Sequence, residues 1–268
     1  MHKAARAIRA PVILLLILAV AFIVAPHLYN NQSVLFTMMV FMALAQGLNL
    51  LYGFTGYLPF GYVGFFGTGA YFSIANLAAS QVIYFVVSNQ ALQPITGGPY
   101  GVKIEQVFAP RASYLTMLVI LLLTTAIAAY FRRSRFGLGL LAMKEDPISA
   151  GLAGVNVLRE RLIVWLSSAG VAGLIGGAYA WNLSVFYPDA VFTLQISVFA
   201  IVFALFGGVG TVIGPLLGGA LLYAFYAVIG VSAPQYFELL YGLLIVLLVL
   251  FLPNGLLSLL TRRHIDVL

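Results

Sequence analysis

Three histidines and seven carboxylates are the side chains of this 268-residue sequence best suited to moving protons or binding a metal. Their spacing supports neither. His2, His27 and His264 stand at ends or turns and form no acid–base or metal cluster of recognisable spacing. The absence of cysteine excludes disulfides, thiol nucleophiles and thiolate metal sites. No acidic residue falls in the middle of an apolar run; Asp189 and Glu238 sit at edges and the others in polar segments. Proton relays and ion-coupled carriers place ionisable groups at membrane depth, so an ion-driven carrier and an intramembrane hydrolase are both disfavoured. A phosphate-cradling glycine loop ending in Gly-Lys-Ser/Thr is also missing, which argues against nucleotide hydrolysis by that route. Hydrogen bonding by neutral polar groups remains: Gln46, Asn49, Thr55, Tyr62, Thr68, Asn76, Asn182 and Gln195.

The other concentrated chemistry is ionic. Residues 132–161 carry six of the thirteen basic residues and three of the seven acidic ones, between long apolar runs. Asp146-Pro147 is a helix-start signal, a capping carboxylate followed by proline at the first helical position. Gly154 is placed to end that helix in a left-handed conformation. The two turns between are shorter than the roughly 12–15 residues needed for an isolated helix in water, so the helix must be docked on something. Ile148 and Leu152, four apart, share one face and can fill an apolar cleft. The arginines around them can pair with acidic groups of a partner.

The elements that position these groups are membrane spans. The chain is 63% hydrophobic and 7% charged, against about 25% charged in a typical soluble domain. Its apolar runs reach the roughly 20 residues that cross a bilayer core, and they are continuous rather than alternating, unlike barrel strands. An all-α polytopic membrane protein follows, with about eight spans: 11–25, 34–51, 61–79, 114–130, 162–183, 192–206, 212–229 and 237–252. Residues 80–111 are expected to lie outside the membrane, with a surface or partly inserted helix. Alternating the chain from a cytoplasmic N-terminus puts eleven of the thirteen basic residues on the cytoplasmic side, leaving Lys103 and Arg111 outside. That bias obeys the positive-inside rule. The same flanking arrangement makes the net charge of +6 a matter of topology rather than of nucleic-acid binding.

Two glycine-bearing breaks echo one another. Leu51–Gly56 follows the second span and Leu205–Gly210 follows the sixth, each with glycines three apart and a Pro/Gly step beyond. Residues 53–72 hold six glycines and Pro59, a density that kinks or breaks a helix and is tolerated in a membrane only beside protein or water. Glycine-interrupted segments in corresponding halves point to a transport path; the competing reading is close helix packing, which Gly173–Gly177 and Gly210–Gly214 also fit. On the path reading the lining comprises Asn49, Gly53, Thr55, Gly56, Gly61, Tyr62, Gly67, Gly207 and Gly210.

Residues 53–71, GFTGYLPFGYVGFFGTGAY, resemble the signature of permease subunits of branched-chain amino acid ABC importers of the LivM/LivH type. Residues 96–102, TGGPYGV, are similar to an extracytoplasmic element of that family. SRFGLGLLAMKEDPISAGLAGV at 134–155 resembles its coupling loop, and LFGGVGTVIGPLLGG at 205–219 its late glycine-rich break. The resemblance implies a type II-like ABC importer permease fold, one transmembrane domain over 1–268 with a cytoplasmic coupling loop at 132–161. It implies an inner-membrane protein with both termini cytoplasmic, partnered by a paralogous second permease, separate ABC ATPase subunits and a periplasmic substrate-binding protein. No cofactor is expected. Glu145, Asp146, Ala150 and Gly154 match the coupling residues, and Ile148 and Leu152 complete the face. The older importer pattern Glu-Ala-Ala-x-x-x-Gly is present only as Ile148-Ser149-Ala150-x-x-x-Gly154. The implied cargo is a branched-chain or other small hydrophobic amino acid; urea or a short-chain amide, and a self-contained channel, are the alternatives. One departure stands out. Family members carry many more residues between the GAY and TGG elements, and losing two membrane segments there would preserve orientation.

Overall fold

The computed structural model describes residues 2–29, 31–55, 80–93, 97–100, 102–103, 109–183 and 185–232, with isolated positions nearer the C-terminus. In chain order the helices are α1 (His2–Leu28), α2 (Gln32–Thr55), α3 (80–87), α4 (Pro110–Arg133) and α5 (Arg135–Glu145). After these come α6 (Pro147–Leu152), α7 (Val157–Leu183), α8 (Pro188–Val191), α9 (Leu194–Gly207) and α10 (Ile213–Ser232). A two-residue antiparallel ribbon pairs β1 (Val102–Lys103) with β2 (Val185–Phe186).

The protein is a polytopic helical membrane protein. Five helical stretches are long and apolar enough to cross a bilayer: 10–28, 32–55, 110–133, 157–183 and 188–207; the apolar helix 213–228 is shorter. Six of the eight expected spans fall on these six stretches. The third expected span, and the eighth save for isolated positions, lie outside the described residues. Residues 80–87 form the expected short helix.

At the centre lies α2. Its Phe36, Met39, Ala43, Leu50 and Phe54 are buried, and it packs most extensively against α10 and α4, then α7 and α9. A helix apolar on every side belongs inside a bundle, and α2 meets neighbours all round. Phe41 joins three helices, edge-on to Phe203 of α9 at 5.4 Å and stacked on Tyr223 of α10 at 5.5 Å. By contrast α1 exposes Val12, Ile13, Leu16, Ile17 and Val20, and α7 exposes Leu162, Leu166 and Leu174. A continuous apolar exterior of this kind is what lipid, not water, accommodates.

Hydrogen bonds and pairings identify the two ends of the bundle. The end of α2, the charged segment 132–161 and the α9–α10 turn meet at one, linked by Lys144 to the Gly53 carbonyl and Arg132 to the Gly210 carbonyl. At the other lie the ribbon, the Tyr84 hydroxyl donating to Asp189 at 2.5 Å, and Tyr114 donating to the Phe22 carbonyl at 2.8 Å.

Two elements differ from expectation. The second span does not stop ahead of Gly53; α2 runs through it to Thr55. Beside Thr55, the last residue described there, Thr55 Oγ1 donates to the Leu51 carbonyl and Lys144 to the Gly53 carbonyl. The charged segment holds two helices rather than one, because Ser134 caps α5 by accepting from the Gly137 amide at 3.1 Å.

Candidate functional site

The charged end carries a short helix built as its sequence dictates. Asp146 is the N-cap of α6, its carboxylate accepting from the Ile148 amide at 3.0 Å and the Ser149 amide at 3.3 Å, and also from the Ser149 hydroxyl. Those donors, the Ser149 hydroxyl foremost and then the Ile148 amide, hold the carboxyl below its usual range against a smaller opposing effect of desolvation. Pro147 takes the first helical position. Gly154 lies beyond the last turn at φ +92°, where a side chain is strained. The Gly154 amide donates to Gly151 and the Val155 amide to Ala150, both at 3.0 Å, which closes the helix end.

Sequence spacing alone could not say which face of α6 is free. Ala150 is 4% exposed and turned into the protein, while Ile148 is 76% and Leu152 86% exposed. Two large aliphatic side chains thus project from a capped turn whose other side is seated on the chain itself. Glu145 and Asp146 are exposed beside them.

The two glycine breaks that echo one another in sequence lie against each other. Asn49 of α2 is fully buried. Its Nδ2 donates to the Thr211 carbonyl at 2.7 Å and its Oδ1 accepts from the Gly210 amide at 2.7 Å. Gln46, one turn earlier, donates to the Val212 carbonyl at 3.1 Å. The α9–α10 turn runs through Gly208 (φ +108°) and Gly210 (φ +82°), and Thr211 Oγ1 bridges it, donating to the Gly208 carbonyl at 2.8 Å and accepting from the Gly214 amide at 3.0 Å. A Cβ at Gly53 would overlap Asn49 Oδ1 and stand 2.6 Å from the Gly210 nitrogen; one at Gly207 would overlap the Gly214 carbonyl. Gly53 and Gly207 therefore sit where no side chain fits, as close helix approach requires, while Gly210, whose Cβ would stand 3.3 Å from the Gly53 carbonyl, is held to glycine by its positive φ.

Of the residues that could line a path, Asn49, Gly53, Thr55, Gly207 and Gly210 are brought together here; Gly56, Gly61, Tyr62 and Gly67, with Thr68 and Asn76, lie outside the described residues. Asn182 is elsewhere, donating to Ser113 Oγ at 2.9 Å between α7 and α4. Nothing among the described residues lies within 4 Å of a Cβ at Gly173, Gly176 or Gly177, so close packing there has no partner in view. No group of three potential metal ligands occurs among the described residues. Sequence reasoning missed Arg132 and Lys144 as backbone ligands, having read the basic residues of this segment as topological charges and its arginines as able to pair with acidic groups of a partner.

The comparisons with known proteins agree with this architecture. The family model for the branched-chain amino acid transport system permease component matches residues 74–249. The high-affinity branched-chain amino acid permease protein LivM of Salmonella typhimurium is 24% identical over 330 aligned residues, covering 94% of this chain and 75% of that one. That alignment is longer than the chain itself, so LivM carries residues this protein lacks. The probable branched-chain amino acid permease LivH of Methanocaldococcus jannaschii is 28% identical over 41% of this chain and 34% of its own. The fructose import permease FrcC of Rhizobium meliloti is 32% identical over 50% of this chain and 39% of its own. No solved structure matches. With about two thirds of its length under one family model, the chain belongs to the family of branched-chain amino acid transport system permease components.

Proposed function

We propose that the protein is the transmembrane subunit of an ATP-driven importer of branched-chain or other small hydrophobic amino acids, with α6 docking on a separate ATPase. The observation that carries this reading is the exposure of Ile148 and Leu152 on a helix capped at both ends and seated through Ala150. Burying each such side chain in a partner's cleft is worth about 1.5–3 kcal/mol, enough to explain why the chain leaves them in water at the charged end. In this reading the charged end is cytoplasmic, in keeping with the basic residues gathered there. The paired ATPase supplies the energy, a second permease completes the path, and a binding protein delivers the cargo at the opposite end, where Tyr84, Asp189 and the ribbon lie.

A sugar is the second reading of the cargo, favoured by the similarity to the fructose import permease FrcC; urea or a short-chain amide comes next, from the shared motifs. The reconstituted complex settles the matter by uptake of radiolabelled leucine in competition with unlabelled leucine, fructose and urea. Saturable uptake of radiolabelled leucine supports the amino-acid reading, and a complex that takes up labelled fructose or urea but no leucine overturns it. A self-contained channel is the remaining alternative, and it would pass cargo without any ATPase co-purifying.

A further inference from the structure

Two cations bracket α5 and reach from the charged segment into the paired glycine breaks. Arg132, at the end of α4, donates through a guanidinium nitrogen to the Gly210 carbonyl in the α9–α10 turn. Lys144, in the last turn of α5, places Nζ 3.4 Å from the Gly53 carbonyl in the last described turn of α2. The Gly210 carbonyl belongs to a turn that regular helix bonding leaves open, and the Gly53 carbonyl lies among the last described residues of α2. The two receiving segments act as one block, because Asn49 ties α2 to residues 210 and 211 by two 2.7 Å bonds. Between the cations, α5 packs closely on the start of α7, where a Cβ at Gly139 would stand 2.5 Å from Glu160 Oε2. Beyond Lys144 only Glu145 separates it from the Asp146 cap of α6.

We infer that Arg132 and Lys144 are positioning residues that form a two-point latch, through which movement of α6 is passed to the block made by the end of α2 and the α9–α10 turn. The inference rests on the importer reading and adds to it the physical link inside this chain. Arg132 is part-buried between exposed neighbours Arg133 and Arg135, and Lys144, itself exposed, still directs its ammonium to the Gly53 carbonyl; the topological role of positive charge is served equally by side chains pointing into water. A lever needs the other arrangement, in which the push on α6 meets α2 through Lys144 while Arg132 holds the turn that α2 carries. Neutral side chains at either position would leave the carbonyls to water and the lever slack.

The test uses the reconstituted complex of this chain with its second permease and ATPase, reading cargo taken up per ATP hydrolysed. Radiolabelled leucine, fructose and urea are offered to the wild-type complex, and the one taken up serves as probe. Lys144→Gln and Arg132→Gln are each expected to lower the ratio about tenfold, within the 5–150-fold range of a coupling between two sites. Lys144→Arg, which keeps a cation within reach of Gly53, is expected to retain it. Thermal stability and ATPase association are followed in parallel. An unchanged ratio in both Gln variants overturns the latch alone. Loss of ATPase association in both assigns the residues to packing and also overturns it, as does an equal fall in Lys144→Arg. A wild-type complex that binds no ATPase, or takes up none of the three probes, overturns the importer reading and the latch with it.

Discussion

The amide of Gly210 donates a 2.7 Å hydrogen bond to Asn49 Oδ1 across 161 positions of sequence. With the reciprocal bond from Asn49 Nδ2 to Thr211, one carboxamide satisfies a donor and an acceptor of the α9–α10 turn. Asn49→Leu leaves both without that partner in a part-buried place, at up to about 1–3 kcal/mol each. A large fall in the thermal midpoint of the detergent-solubilised protein is expected. Gln46→Met removes a single bond, to Val212, and should cost about 1 kcal/mol. Equal midpoints for the two variants would contradict the bridging role of Asn49.

At the exposed face of α6 the expectation is opposite. Leu152→Asp and Ile148→Asp touch side chains that the chain does not bury, so stability should change by no more than about 0.5 kcal/mol. ATPase co-purification should nevertheless be lost. Ala150→Leu places a larger group on the buried side and is expected to destabilise by about 1–3 kcal/mol. Retained ATPase binding in both Asp variants would remove the docking role from this face.

Gly154 distinguishes backbone strain from steric conflict. No atom lies within 4 Å of a Cβ there, yet φ is +92°. Gly154→Ala should therefore cost about 1–2 kcal/mol, the penalty for a left-handed L-residue, and Gly154→Asn less. Gly154→Arg is expected to abolish cargo-stimulated ATP hydrolysis with membrane insertion intact. Normal stimulation in Gly154→Arg would show that the end of α6 need not keep its shape.

The Asp146 cap has a signed pH dependence. Its carboxyl is held below the usual range, chiefly by the Ser149 hydroxyl and the Ile148 amide. A depressed folded value means the cap's contribution is fully present above the unfolded carboxylate range and is lost as pH falls through the lowered value. ATPase association should consequently be insensitive to the titration of Asp146 from about pH 8 to about pH 5. Asp146→Asn, which keeps an accepting oxygen, should bind nearly as well as wild type across that range, whereas Asp146→Ala should bind more weakly throughout. A wild-type loss of binding near pH 6 that Asp146→Asn removes would contradict this sign.

What the sequence determined by itself was everything carried by local pattern. Apolar run length placed the described spans to within a few residues, because a bilayer core demands length and continuity. Asp146-Pro147 and Gly154 marked both ends of α6, because caps depend on residues adjacent in the chain. The resemblance carried by residues 53–71 and 134–155 led to the family. The tertiary structure decided matters that depend on partners far apart in sequence. It turned Ala150 inward and left Ile148 and Leu152 outside, a choice that four-residue spacing leaves open. It set the two glycine breaks face to face, since glycine signals close approach without naming what approaches. It also gave Arg132 and Lys144 carbonyl partners on α2 and the α9–α10 turn, which no local rule for charged residues contains.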